Sequence, residues 1–142
     1  MYEVLLPVDL DTERALEAPA AVSSLPNAAE AVRVTVLNVE KDVEIVDSEG
    51  GRVRSEEWYD ETDFPSSVEE ATAHLEREGI SVETRRMLAD PAAAIVRTAD
   101  EIDADLIVLC GRKRSPAGKV LFGSVTQSVL LDSTVPVTVV MG

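Results

Sequence analysis

Apolar residues are unevenly spaced along the chain, and their spacing predicts alternating strands and helices. Val4, Leu5, Leu6 and Val8 make a nearly continuous apolar run within Tyr2–Asp9. A strand covered on both faces reads this way, because neither side meets water. Leu106–Cys110 is a second run of the same kind. Arg33–Val39 alternates and ends in Leu37-Asn38-Val39. Ile80–Leu88 alternates through Ile80, Val82 and Thr84 and carries Arg85 and Arg86, as suits a strand at a sheet edge. Pro136–Met141 is the last strand.

Helical spacing fills the intervals. Ser66–Glu78 sets Val68, Ala71, Thr72 and Leu75 on one face, with Gly79 as the stop. Asp90 is placed to cap the next helix, Pro91 to occupy its first position, and Ile95, Thr98, Ala99 and Ile102 to form its buried face. A final helix is expected from about Ser124 to Leu131. Near the N-terminus, Asp11 and Thr12 are cap candidates for a helix reaching about Ser24, in which Pro19 is expected to impose a kink or an early end. Pro26 and Asn27 mark a turn.

This alternation predicts an α/β fold: a single doubly wound, five-stranded parallel sheet with helices on both faces. The two most apolar strands belong at its centre, which the strand order 3-2-1-4-5 satisfies. The chain of 142 residues suits one domain, residues 1–142. Glu40–Pro65 stands apart as an acidic surface excursion, with ten acids against three bases. Val43–Val46 and Arg52–Arg54 could pair there as a hairpin around Gly50 and Gly51. Trp58, Tyr59 and Phe64 either pin this excursion to the body or form an exposed patch for a partner. Ligands of such sheets bind at the carboxyl ends of strands where the order reverses. Asp9 and Gly111 meet at that crevice.

Charge narrows the partners. The formal net charge is -14, and lysine occurs only at Lys41, Lys113 and Lys119. Such a field repels nucleic acid and anionic membranes. An acidic, lysine-poor chain on an ordinary core fits a protein adapted to high salt, where screening within about 3 Å at 1 M makes self-repulsion tolerable, or else an acidic protein of ordinary conditions. Cys110 is the only cysteine, so no internal disulfide forms. No signal-peptide pattern or long apolar run stands in the chain, and a cytoplasmic location is expected.

Against this acidic background, Arg112, Lys113, Arg114 and Lys119 gather four of the thirteen bases within eight positions. A cationic loop between a buried strand and a helix start is how a parallel sheet builds an anion site, so the cluster reads either as a triphosphate site or as a solvated loop. Gly123, Ser124, Val125 and Thr126 would add N–H groups and hydroxyls at the helix start, or simply cap it. Asp9 could hold a ribose hydroxyl, a base edge or a metal, or cap its own turn. Cys110 is expected to pack as a small hydrophobe beside the site. Gly118-Lys119 is not a P-loop, since Val120 follows, and there is no GxGxxG fingerprint. His74 stands alone, no zinc cluster is evident, and no nucleophile with a neighbouring base stands out, so no catalytic residue is assigned.

Together the segments Val4-Leu-Leu-Pro-Val-Asp9, Leu37-Asn-Val39, Asp90-Pro-Ala-Ala-Ala-Ile95, Ala104-Asp-Leu-Ile-Val-Leu-Cys-Gly111, Gly123-Ser-Val-Thr126 and Val135-Pro-Val-Thr-Val-Val140 resemble the universal stress protein family over nearly the whole chain. The resemblance implies the adenine nucleotide alpha hydrolase-like fold, a dimer and ATP as ligand, with magnesium where ATP is bound. It places Asp9 and Val39 near adenine and ribose, with Pro7 and Val8 lining the same pocket. Gly111 would begin the phosphate loop, and Gly123, Ser124, Val125 and Thr126 would close on the phosphates. The family's ATP-binding pattern is Gly-x2-Gly-x9-Gly-Ser/Thr. Arg114 stands at the second glycine, and Gly111 to Gly123 is one residue short. Arg114 would have to contact phosphate through its guanidinium, with Gly118 supplying the lost flexibility.

Three functions follow as expectations. The first is a dimeric nucleotide-binding stress or signalling protein, switched by its ligand and read by an unidentified protein partner, with slow turnover at most. The second is an interaction module of the same fold that binds no nucleotide. The third is a small hydrolase or phosphotransferase. Dimerisation is expected through Pro136–Met141, an uncharged edge strand open to a second copy. The charge reading has its own test: the thermal midpoint should rise as KCl goes from 0.1 M to above 1 M, and a midpoint that ignores salt rejects adaptation to it.

Overall fold

The computed structural model describes residues 1–9, 16–41, 60, 62–111 and 123–141, together with the backbone of 44–46 and 52–54. The chain runs β1 (Tyr2–Pro7), α1 (Glu17–Ser23), α2 (Ala28–Ala31), β2 (Val32–Lys41), β3 (Glu44–Val46), β4 (Arg52–Arg54), α3 (Ser66–Arg77), β5 (Ser81–Ala89), α4 (Pro91–Glu101), β6 (Leu106–Gly111), α5 (Ser124–Asp132) and β7 (Val137–Met141). Five strands form one parallel sheet in the order β5-β2-β1-β6-β7, which is the expected 3-2-1-4-5 arrangement. β3 and β4 pair antiparallel as a separate hairpin, where the glycine-centred turn was expected. Gly50, Gly51, Trp58 and Tyr59 lie outside the described residues.

The central strand explains the two-sided core. Val4, Leu5 and Leu6 are fully buried, and strand pleating sends alternate side chains to opposite faces. Val4 and Leu6 join Val34, Val36 and Val108 beneath Val22 of α1 and Val68 and Leu75 of α3. Leu5 joins Leu37, Ile107 and Leu109 beneath Ile95 and Ala99 of α4 and Val129 of α5. Each such buried side chain contributes about 1.5–3 kcal/mol from apolar burial. Phe64 packs against the first of these layers, so it does pin the end of the excursion.

β5 lies at one edge, as its arginines suggested, and pairs along its whole length with β2, from Arg33↔Ser81 to Lys41↔Ala89. At the other end of the sheet, Glu3 and Asp105 tie β1 to the start of β6: the Glu3 N–H donates to Asp105 Oδ2 at 2.8 Å, and the Asp105 N–H donates to the Glu3 carbonyl at 2.7 Å. The Glu3 carboxylate also accepts from Arg33 Nη2 at 2.5 Å, which holds that guanidinium above its ordinary pKa.

Helix boundaries follow local chemistry. Asp90 Oδ2 accepts the Ala93 N–H at 3.1 Å, and Pro91 opens α4, as the sequence pattern required. Gly79 follows α3 at φ 77°, a left-handed conformation that glycine adopts without strain. Pro19 falls in the first turn of α1 as the described residues define it. α1 starts only at Glu17, and its first intrahelical bond is Ala20 N–H to the Leu16 carbonyl at 3.0 Å. Pro19 therefore sits where no helix donor is needed. Asp11 and Thr12 lie outside the described residues. Asn27, at φ 55°, is the expected turn, but it leads into the short helix α2, which the pattern did not reveal. Among the described residues no helix is long and apolar enough to cross a membrane.

Candidate functional site

A cleft of about 220 Å³ opens where β1 and β6 end and the chain leaves the sheet toward opposite faces. Its floor is Pro7 and Val8 from β1 and its end, with Leu109 and Cys110 from β6. Leu37 and Val39 bring in β2, and Ala18 and Pro19 bring in the first turn of α1. Pro91 and Ile95 of α4, with Val125 and Thr126 of α5, close the far side. Most of this lining is aliphatic. Asp9, exposed at the rim, is the one charged residue among the described lining.

Seven of the residues nominated from the sequence therefore share one cleft: Pro7, Val8, Asp9, Val39, Cys110, Val125 and Thr126. Gly123 caps α5 and Ser124 opens it, beside the cleft. The first bond within α5 runs from the Gln127 N–H to the Gly123 carbonyl at 3.0 Å. The N–H groups of Ser124, Val125 and Thr126 thus belong to the first turn, which has no intrahelical acceptors. Arg112, Lys113, Arg114, Gly118 and Lys119 lie outside the described residues.

Gly111 is not in the lining. It ends β6 opposite Met141, and a Cβ there would sit 2.6 Å from Met141 Sδ and 2.8 Å from Val139 Cγ1. A side chain at this position would therefore have to displace the Met141 and Val139 side chains of the neighbouring strand. Cys110 does more than fill space. Its thiol donates to Glu17 Oε2 at 3.4 Å, linking the cleft floor to α1.

The floor is held from beneath by side chains that the sequence did not nominate. The Val8 N–H donates to the Leu37 carbonyl at 2.8 Å. Asn38 Nδ2 donates to the Val8 carbonyl at 3.0 Å, and the Ser67 hydroxyl donates to the Asp9 carbonyl. Asn38 in turn accepts from Arg86 Nε at 3.1 Å. Arg86 also donates to Glu40 Oε2 at 3.3 Å and to the Asp60 carbonyl. The Asp60 carboxylate accepts from the Thr62 hydroxyl at 2.7 Å and the Thr62 N–H at 2.9 Å, which together hold it below the usual carboxylate range. One signal was available for Asn38: a polar residue between two apolar ones in a buried strand needs a partner. Ser67 carried none beyond its place in a helix start. Among the described residues no group of His, Cys, Asp and Glu could hold a metal ion.

A doubly wound parallel α/β domain with an aliphatic cleft at its switch point is the class that these features define. A model of the universal stress protein family matches residues 1–141, and the chain belongs to that family. It is 40% identical over 74 residues to a universal stress protein of Mycolicibacterium smegmatis, a match covering 51% of this chain and 57% of that relative. The match thus spans little more than half of the relative's length. A universal stress protein of Archaeoglobus fulgidus superposes with a TM-score of 0.74 at 27% identity, covering 99% of this chain and 98% of that one. A structure of the Archaeoglobus fulgidus universal stress protein in complex with dAMP gives a TM-score of 0.68 at 22% identity, covering 99% and 98%. The fold is the adenine nucleotide alpha hydrolase-like one.

The contacts at Gly111 are open to test. Gly111→Ala overpacks the β6–β7 seam and is expected to cost about 1–3 kcal/mol in urea unfolding. Adding Met141→Ala should recover part of that loss; a neutral Gly111→Ala would show that the seam yields freely.

Proposed function

We propose that this protein binds an adenine nucleotide in the cleft between β1 and β6 and acts in stress response or signalling as a switch controlled by that ligand. The observation that carries this reading is the aliphatic slot at the switch point, which opens directly onto the first turn of α5. A flat heterocycle suits the slot between Pro7, Val8, Leu37 and Val39, and Asp9 at its rim suits ribose hydroxyls. The free N–H groups expected at a helix start, with the hydroxyls of Ser124 and Thr126, suit the phosphates. Arg112, Lys113, Arg114 and Lys119 supply the neutralising charge, and magnesium accompanies the nucleotide where a triphosphate is bound. That a family member of the same fold is complexed with dAMP supports the choice of base.

Binding orders the segment between β6 and α5, and an unidentified protein partner reads the ordered surface. Among the described residues the only charged group lining the slot is Asp9, read here as a ribose contact, and any turnover is slow. The working unit is a C2 dimer joined through β7, whose Val137–Met141 edge carries no charge to deter pairing. The protein acts in the cytoplasm of a cell with high internal salt.

A second reading has one observation in its favour. Arg114 replaces a glycine of the family's ATP-binding pattern, so the domain could serve its partner with the cleft empty. Calorimetry in molar KCl separates the two. ATP or AMP should bind, and Asp9→Ala should weaken binding about tenfold to a hundredfold, as expected for a lost hydrogen bond to a charged group. No nucleotide released on denaturing the purified protein, and no heat on titration, would establish the interaction module instead. Light scattering in the same buffer should return the mass of two chains; the mass of one rejects the β7 dimer.

A further inference from the structure

We propose that Arg86 is a positioning residue for the cleft: its guanidinium fixes the Asn38 amide, and the amide fixes the peptide joining Val8 to Asp9. Arg86 sits on the edge strand β5, outside the cleft lining, and its side chain is only 9% exposed. Asn38 is 2% exposed. A buried amide has one acceptor end and one donor end, and the two ends are nearly the same shape. Nothing in its packing alone stops it from turning over. The Arg86 Nε–H, 3.1 Å from Asn38 Oδ1, accepts no bond itself and so tolerates only the oxygen. The Nδ2 end is then forced toward the Val8 carbonyl, 3.0 Å away. With the amide reversed, oxygen would face oxygen at Val8 and nitrogen would face the guanidinium.

The consequence lies in the cleft floor. The peptide unit is planar and trans, so holding the Val8 carbonyl also fixes the direction of the Asp9 N–H. The Asp9 carbonyl is held independently by Ser67, itself fully buried. Asp9 is thereby clamped on both sides, and the clamp on its N-terminal side depends on Arg86. Arg86 is in turn aimed by Glu40 at 3.3 Å and by the Asp60 carbonyl, each taking a different arm of the fork. A guanidinium can serve all three acceptors at fixed angles, and an ammonium cannot reproduce that geometry.

Arg86→Lys, which keeps the charge and most of the bulk, tests the geometry with little risk to folding. Arg85→Lys is the control, because Arg85 points to Glu101 at 3.5 Å and has no part in the network. The first readout needs no ligand: the carbonyl ¹³C shift of Val8 and the amide ¹⁵N shift of Asp9 should move in Arg86→Lys and stay in place in Arg85→Lys. The second rests on the nucleotide reading: AMP affinity should fall on the order of tenfold in Arg86→Lys and stay unchanged in the control. Equal shifts in the two variants, or full AMP affinity in Arg86→Lys, would overturn the proposal. If the unmodified protein binds no AMP, the nucleotide reading fails, and the carbonyl shift still decides the role of Arg86.

Discussion

Past Pro7 the first strand runs out of sheet, and its next two carbonyls must find partners away from the ladder. That constraint shapes the upper end of the molecule. Carbonyls partly shielded from water cost free energy when left unpaired, up to the scale of a lost hydrogen bond. Asn38 takes one and Ser67 the other. The first obliges β2 to carry an amide in its buried stretch, and the second obliges α3 to start beneath Asp9. Between them they hold the chain end of β1 still where it borders the cleft. The cleft therefore exists because the strands part, and keeps its form because the chain ends beneath it are satisfied.

The sheet itself was legible because burial on both faces leaves a mark that no other element leaves. Val4–Leu6 and Ile107–Leu109 are apolar without alternation, and both proved central. The arginines of Ile80–Leu88 spoke for an edge, and the strand lies there. What remained hidden depends on partners distant in sequence. Pro19 looked like a helix breaker because the true start of α1, one turn earlier than the proline can do harm, has no strong cap signal. Arg86 looked like an edge charge, yet it reaches inward to Asn38 across the strand pair. Leu37, Leu109 and Ile95 line the cleft through core positions, and pattern alone files such residues as packing.

Charge along the chain contrasts with the apolar lining of the cleft. The slot is aliphatic with Asp9 at its rim, and the densest run of cations in the sequence, four of the thirteen, follows Gly111. A neutral heterocycle and an anionic tail would each find its own environment. In a chain of net charge -14, an anion would approach against the average field, so a local run of cations in the sequence is the natural place to look for it. High salt would weaken both effects, leaving short-range contacts in the slot to carry more of the affinity.

Gly111 shows why a motif position needs a physical reason before it is given a role. Its match to the first glycine of the nucleotide pattern suggests a backbone that must come close to phosphate. Its surroundings give a different reason. Met141 and Val139 of β7 occupy the volume that a Cβ would need. Packing at the seam between β6 and β7 thus favours glycine here whether or not a phosphate ever arrives. A match at Gly111 therefore has a reason in the fold as well as in the ligand pattern, whereas the aliphatic slot, Asp9 and the first turn of α5 bear on the ligand alone. The same seam gives β7 its place at the sheet edge, so the packing that favours glycine at 111 also fixes the last strand of the sheet.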